Sequence, residues 1–213
     1  MKTTLAFPFP PPWDATTITF FSRQLVLIHG FYDTHVTISF FQQKTLGEMT
    51  SAVRGRGCYL NNKRINPHPT TNDNNNNNTQ QKPRQSILSE SLINVGFPVC
   101  KESTLLASSR AVTALATQVR GLRMVACASQ AMAWVAHSKF AAYFSWDLNA
   151  WDIAAGMVIV EESGGRVDNF DGSRADVSSR DMIISCRPER EGEEGLLRDE
   201  LIRVLEDNDC VEY

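Results

Sequence analysis

A carboxylate at the head of an apolar helix is where this sequence is best equipped for chemistry. Asp152 follows Trp151 and opens the segment Ala150–Glu162 (AWDIAAGMVIVEE), which Gly164 and Gly165 stop. The free N–H groups of a helix start favour a negative charge, and one carboxylate oxygen can stay available for a hard cation. Plain capping is the commonest task of an aspartate in that place, so the residue alone fits both readings. Ala154, Ala155 and Gly156 are small, and they are expected to let the helix lie close against a sheet.

The other reactive side chains are less organised. Cys127 precedes a short helical stretch, Ser129–His137, where a thiol pKa can be lowered. No histidine adjoins it in sequence, and its expected role is that of a small buried residue. His29, His35, His68 and His137 are scattered, without a nucleophile or metal-ligand spacing beside them, and read as surface, strand or turn residues. Glu48 and Glu162 read as surface or packing residues. Cys58, Cys100, Cys127, Cys186 and Cys210 never form a C-x-x-C pair. Odd, scattered cysteines argue against a disulfide framework or a zinc site and favour a reducing compartment, so the expected location is cytoplasmic.

Elements able to position Asp152 can be read around it. Gln24–Tyr32 and Val36–Phe41 are β-branched and aromatic runs on either side of Asp33-Thr34-His35, a β-hairpin pattern. Gly55-Arg56-Gly57 turns the chain into a strand at Cys58–Leu60, and Asn61-Asn62-Lys63 turns it again. The stretch 66–86 is polar and carries asparagines at every position from Asn74 to Asn78, so it reads as a flexible surface insertion. Beyond it, strands are expected at Ile87–Phe97, Leu122–Ala126, Phe140–Ser145, Arg166–Asn169 and Asp181–Ser185. Helices are expected at Ser103–Val119, Ser129–His137, Ala150–Glu162 and Gly192–Leu205. The division is then 1–65, a partial sheet region; 66–86, the insertion; and 87–213, an α/β domain. Sheets alternating with helices imply an α/β or α+β layered fold.

Composition narrows the function. The chain has 213 residues, 42% of them hydrophobic, and a net charge of −3, with no cluster of Lys and Arg. That is a globular protein without the basic footprint of a nucleic-acid binder. No run of about 18 apolar residues exists to cross a membrane, and Pro8, Pro10, Pro11 and Pro12 break the N-terminal segment as a signal helix.

Several motifs together resemble the inositol monophosphatase family. Trp151-Asp152-Ile153-Ala154-Ala155-Gly156, followed by Glu162-Ser163-Gly164-Gly165, is similar to the family's W-D-x-A-A-G and E-A-G-G. Ala52–Leu60 with Asn61-Asn62-Lys63-Arg64-Ile65 resembles its G-x-G-A-x-x-N-G hairpin. Arg123–Ala128 (RMVACA) stands where the family has R-R-x-G-S-A, and Ala142-Tyr143-Phe144 where it has A-Y-x-E. Pro12, Asp14, Thr16 and Thr17 partly match P-x-D-G-T-T, with Ala15 for glycine and Pro11 where a metal-binding aspartate belongs.

The resemblance implies the layered sandwich of the inositol monophosphatase and fructose-1,6-bisphosphatase type, lacking the N-terminal helices. It implies metal-activated water hydrolysing a small phosphorylated alcohol, with Mg²⁺ held by Asp14 and Asp152 and the water oriented by Thr16. Cys127, Ala128, Ser145 and Asp152 would line the substrate site. Ser145 replaces a family glutamate that reads substrate hydroxyls, and the family's upstream acidic pair has no counterpart before Asp14. Impaired activity is therefore expected, and the alternative is an inactive relic or a partner subunit, as a homodimer or beside an intact family member.

Overall fold

Alternating apolar residues on short strands, with helices between them, build two sheets and the layers that separate them. The structure, a computed structural model, describes residues 16–21, 24–30, 37–43, 48–65, 87–98, 101–186 and 196–211. The first three of these stretches are described by their backbone alone. Asp14 and the segments 66–86 and 192–195 lie outside the described residues.

The first sheet is an antiparallel meander in sequence order: β1 (Thr16–Phe21), β2 (Gln24–Gly30), β3 (Thr37–Gln43), β4 (Glu48–Val53), β5 (Gly57–Leu60) and β6 (Lys63–Ile65). The expected hairpin is β2 against β3, with Leu27 opposite Phe40. Gly55 and Gly57 turn β4 into β5 with φ of +75° and +90°, and Asn61 and Asn62 turn β5 into β6 with φ of +49° and +65°. Such left-handed conformations suit glycine and asparagine.

The second sheet is mixed. Its strands are β7 (Leu92–Val95), β8 (Gly121–Arg123), β9 (Ala142–Ser145), β10 (Arg166–Asn169) and β11 (Met182–Ser185), in the order β10-β11-β9-β7-β8. β7 runs parallel to both β8 and β9, whereas β11 is antiparallel to β9 and β10. The helices are α1 (Glu102–Leu115), α2 (Ala128–Ala136), α3 (Ala150–Glu162) and α4 (Leu196–Glu206).

Helices cover both faces of the second sheet, and its three central strands β7, β9 and β11 are largely apolar. Tyr143, Met182 and Ile184 point to one side, into a core shared with α2, α3 and with Ala52 and Cys58 of the first sheet. Ile93, Val95, Phe144 and Ile183 point to the other side, onto Ala111 and Leu115 of α1 and Leu201 and Leu205 of α4. The layers run first sheet, α2 with α3, second sheet, α1 with α4.

Several expected bounds shift: the strands read at Leu122–Ala126 and Phe140–Ser145 are Gly121–Arg123 and Ala142–Ser145. The segment read as one strand from Ile87 to Phe97 begins with a 3-10 turn at Leu88–Glu90, because Ser91 bonds back to Ile87 and Leu88, and only Leu92–Val95 is strand. The small face of α3 does not meet a sheet at Gly156: a Cβ there would lie 2.5 Å from the Sδ of Met132 in α2. Its smallness serves a helix–helix contact.

Candidate active site

The chain leaves β7 and its two parallel neighbours in opposite directions. After β7 it runs to α1 on one face of the sheet, whereas after β8 and β9 it runs to α2 and α3 on the other. Where connections diverge in this way, a crevice opens beyond the carboxyl ends of the strands, and ligands of α/β proteins bind there. Cys127, Ala128 and Asp152 all stand at this edge, each at a helix start.

Asp152 is held through one of its two carboxylate oxygens. Its Oδ2 accepts the backbone N–H of Asn149 at 3.2 Å, the return contact of a capping box. Oδ1 has no hydrogen bond among the described residues. The loop that delivers this helix start is itself pinned. Arg180 donates to Asn149 Oδ1 at 2.8 Å, and the N–H of Asp147 donates to Asp181 Oδ1 at 2.7 Å. Arg180 and Lys101 together hold the Asp147 carboxyl below its ordinary pKa. Beneath the loop, Trp146 is buried edge-on between Phe144 and Phe170 and donates from Nε1 to the carbonyl of Cys210 at 3.1 Å.

Cys127 is the N-cap residue of α2, half-buried, with its Sγ 3.3 Å from Ser129 Oγ. Ala128 is the first residue of that helix and packs in part against the core shared with α3. Tyr143, in the middle of β9, is buried in the core shared with α2 and α3. Burial pushes its phenol pKa up, a hydrogen bond with Ser145 opposes that, and Cys127 and Asp152 both add to the rise. Ser145 is turned inward: it is 4% exposed, and its Oγ donates to the carbonyl of Trp146 at 3.3 Å. Room for that hydroxyl comes from Gly96, where a Cβ would stand 2.0 Å from Ser145 Oγ.

Thr16 is the first residue of β1, its backbone paired with His29 of β2. Among the described residues no three His, Cys, Asp or Glu side chains converge as a metal cluster. The four described cysteines, Cys58, Cys127, Cys186 and Cys210, form no disulfide.

Glu162 has a role that its sequence position did not reveal. From the last turn of α3 it accepts the N–H of Gly55 at 2.7 Å and that of Gly57 at 2.7 Å. A carboxylate at a helix C-terminus opposes the helix dipole, and the two amides offset that cost. The only sequence signal for this clamp was its place in the motif with Gly164 and Gly165.

The pattern of these motifs has counterparts. A model of the inositol monophosphatase family matches residues 25–205. The chain belongs to this family. A fructose-1,6-bisphosphatase/inositol-1-monophosphatase of Thermotoga maritima is 35% identical over 95 residues, 45% of this chain and 33% of the relative. A Nus factor SuhB of Xylella fastidiosa is 33% identical over 128 residues, 60% of this chain and 41% of the relative. An inositol-1-monophosphatase of Caulobacter vibrioides is 32% identical over 98 residues, 46% of this chain and 38% of the relative. The matches thus span less than half the length of these family relatives. Among solved structures, the Thermotoga maritima IMPase superposes with a TM-score of 0.66 at 23% identity, covering 87% of this chain and 61% of that one. The inositol monophosphatase from Anabaena gives 0.65 at 20% identity, covering 87% and 65%. These likenesses establish the α/β fold of the inositol monophosphatase type.

Proposed function

We propose that this family member binds a small phosphorylated alcohol beyond the carboxyl ends of β7, β8 and β9 and acts on it as a phosphomonoesterase of low turnover. The observation that carries the reading is Asp152. It is a carboxylate locked at a helix start by Asn149, with Oδ1 unengaged among the described residues. Cys127 and Ala128 supply the wall nearest the alcohol, and inward-facing Ser145 leaves that wall without a family carboxylate.

The family resemblance implies Mg²⁺ between Asp152 and Asp14, with Thr16 orienting the attacking water. The described residues do not by themselves fit a tight magnesium site. Asp152 is a single carboxylate, no acidic cluster surrounds it among the described residues, and Mg²⁺ demands near-ideal octahedral oxygen coordination. With Asp152 as the main ligand, metal binding and turnover would both be weak. The test is thermal melting with and without millimolar Mg²⁺, alongside hydrolysis of inositol 1-phosphate. A small Mg²⁺-dependent stabilisation should appear in the natural chain and vanish in Asp152→Asn, with turnover near the limit of detection. An equal Mg²⁺ response in both proteins would remove Asp152 from the site, and robust turnover lost in Asp14→Asn would show a complete one.

A second reading, a subunit that pairs with a copy of itself or with an intact family member, draws on three exposed apolar residues. Phe97, Met124 and Trp151 are 37%, 56% and 54% exposed, and they stand in the segments that leave β7, β8 and β9. Light scattering on the purified chain separates the readings: a dimer favours pairing, and a monomer favours a site open to small molecules.

A further inference from the structure

Asn94 is a polar residue in the middle of the apolar strand β7, and it is wholly buried. Its neighbours in register are Arg123 on β8 and Tyr143 on β9. Backbone pairing of β7 with β8 reaches as far as Asn94 and Arg123. Two residues later, the N–H of Val125 donates to Asn94 Oδ1 at 2.9 Å. The side-chain amide therefore adds one more rung where the strand ladder ends. That bond also fixes the amide's orientation, since only the oxygen can accept an N–H. Nδ2 is consequently turned elsewhere and has no partner among the described residues. A buried amide with one half unbonded is costly relative to a fully bonded one, so an apolar residue would be the cheaper choice for stability alone.

We propose that Asn94 is a positioning residue of the candidate active site. It holds the segment Met124–Cys127 as the chain leaves β8, and so sets where α2 begins and where Cys127 and Ala128 stand relative to Asp152. Tyr143 stands beside Asn94 in register on β9. The importance of that placement for a substrate rests on the function proposed above; the placement itself does not.

The test compares Asn94→Leu, which removes the acceptor; Asn94→Asp, which keeps an acceptor oxygen of the same reach; and Leu92→Ala, which loosens the same strand without touching the link. Hydrogen exchange at the Val125 amide and the alkylation rate of Cys127 by iodoacetamide, resolved by peptide mass spectrometry, are measured at equal temperature. Asn94→Leu should speed both about fivefold, the effect of losing one ordinary hydrogen bond. Asn94→Asp should restore most of it, and Leu92→Ala should leave both rates near those of the natural chain. Should Asn94→Leu fail to fold, Asn94→Ser, too short to reach Val125, carries the comparison. Unchanged rates in the acceptor-free variant, or equal changes in Leu92→Ala, would overturn the assignment. Neither readout uses turnover, so the result stands apart from whether the chain hydrolyses phosphate.

Discussion

Gly156 in α3 lies so close to Met132 in α2 that a Cβ on the glycine would meet Sδ at 2.5 Å, Cε at 2.9 Å and the methionine Cβ at 3.0 Å. Met132 is fully buried, so it has little room to withdraw. Alanine would gain about 1 kcal/mol of helix propensity over glycine, while overpacking costs about 1–3 kcal/mol. The second effect should win: Gly156→Ala is expected to lower stability by about 1 kcal/mol in denaturant titration. Met132→Ala in the same background should show a favourable coupling in a double-mutant cycle. Additive effects would mean that the two side chains do not compete for space.

The grip of Glu162 on Gly55 and Gly57 predicts a graded series. Glu162→Ala leaves two backbone donors without their charged acceptor and should cost about 2 kcal/mol. Glu162→Gln keeps one acceptor oxygen and should cost about half as much. Hydrogen exchange at the Gly57 amide is the direct readout, and a protected amide in Glu162→Ala would contradict the clamp.

His137 makes stability depend on pH. Its Nε2 lies 2.9 Å from the Thr50 hydroxyl, joining the end of α2 to β4. Burial and then nearby Lys139 lower its pKa to about 4, and Glu48 only partly opposes them. An unfolded histidine takes its proton near pH 6.5, so between about 6.5 and about 4 the unfolded chain binds more protons than the folded one. Stability should therefore fall as pH drops through that window. Glu48, its own pKa held down chiefly by its bond to Lys139, adds a separate loss below it. Melting curves of His137→Gln should lack the upper part of this slope; an unchanged slope would place the titration elsewhere.

The stretch 66–86 contains no Ala, Val, Ile, Leu, Met, Phe, Trp, Tyr or Cys to enter a core. Closing a long loop costs little more than closing a short one. Replacing it with a short Gly/Ser turn between β6 and Leu88 should leave the melting temperature unchanged or slightly higher. A drop of several degrees would show that the segment packs on the domain.

Physical distinctness decided which elements could be read from sequence. α3 and β10 have the bounds expected of them, because a long apolar run ending in Gly164-Gly165 leaves little choice of where to stop. α1 was expected to reach Val119 but ends at Leu115, where the N–H of Gln118 bonds back three residues to the Leu115 carbonyl and the chain tightens into a turn. β1, β4 and β6 went unread: Thr16–Phe21, Glu48–Val53 and Lys63–Ile65 are short and carry little apolar/polar alternation, although each pairs with the strand next to it in sequence. In the site, Asp152 and Cys127 announced themselves through residue type at a helix start. Asn94 gave only the faint signal of one amide inside Leu92–Val95, and its bond to Val125 spans 31 residues. Ser145 could be placed on β9 by sequence, but the direction of its hydroxyl depends on the absence of a side chain at Gly96.

Asp152 and Glu162 stand ten positions apart on a single helix, so about 15 Å of rigid rod separates the carboxylate at the crevice from the one that grips the first sheet. α3 therefore works as a gauge block. The spacing between the meander and the crevice is set by the pitch of an α-helix, which varies little with temperature or solvent, and not by the slack of a loop. Groups that the meander's strands contribute on the far side of the crevice would inherit that fixed spacing. A one-residue insertion in α3 would alter the gauge by about 1.5 Å and swing one carboxylate about 100° around the axis relative to the other.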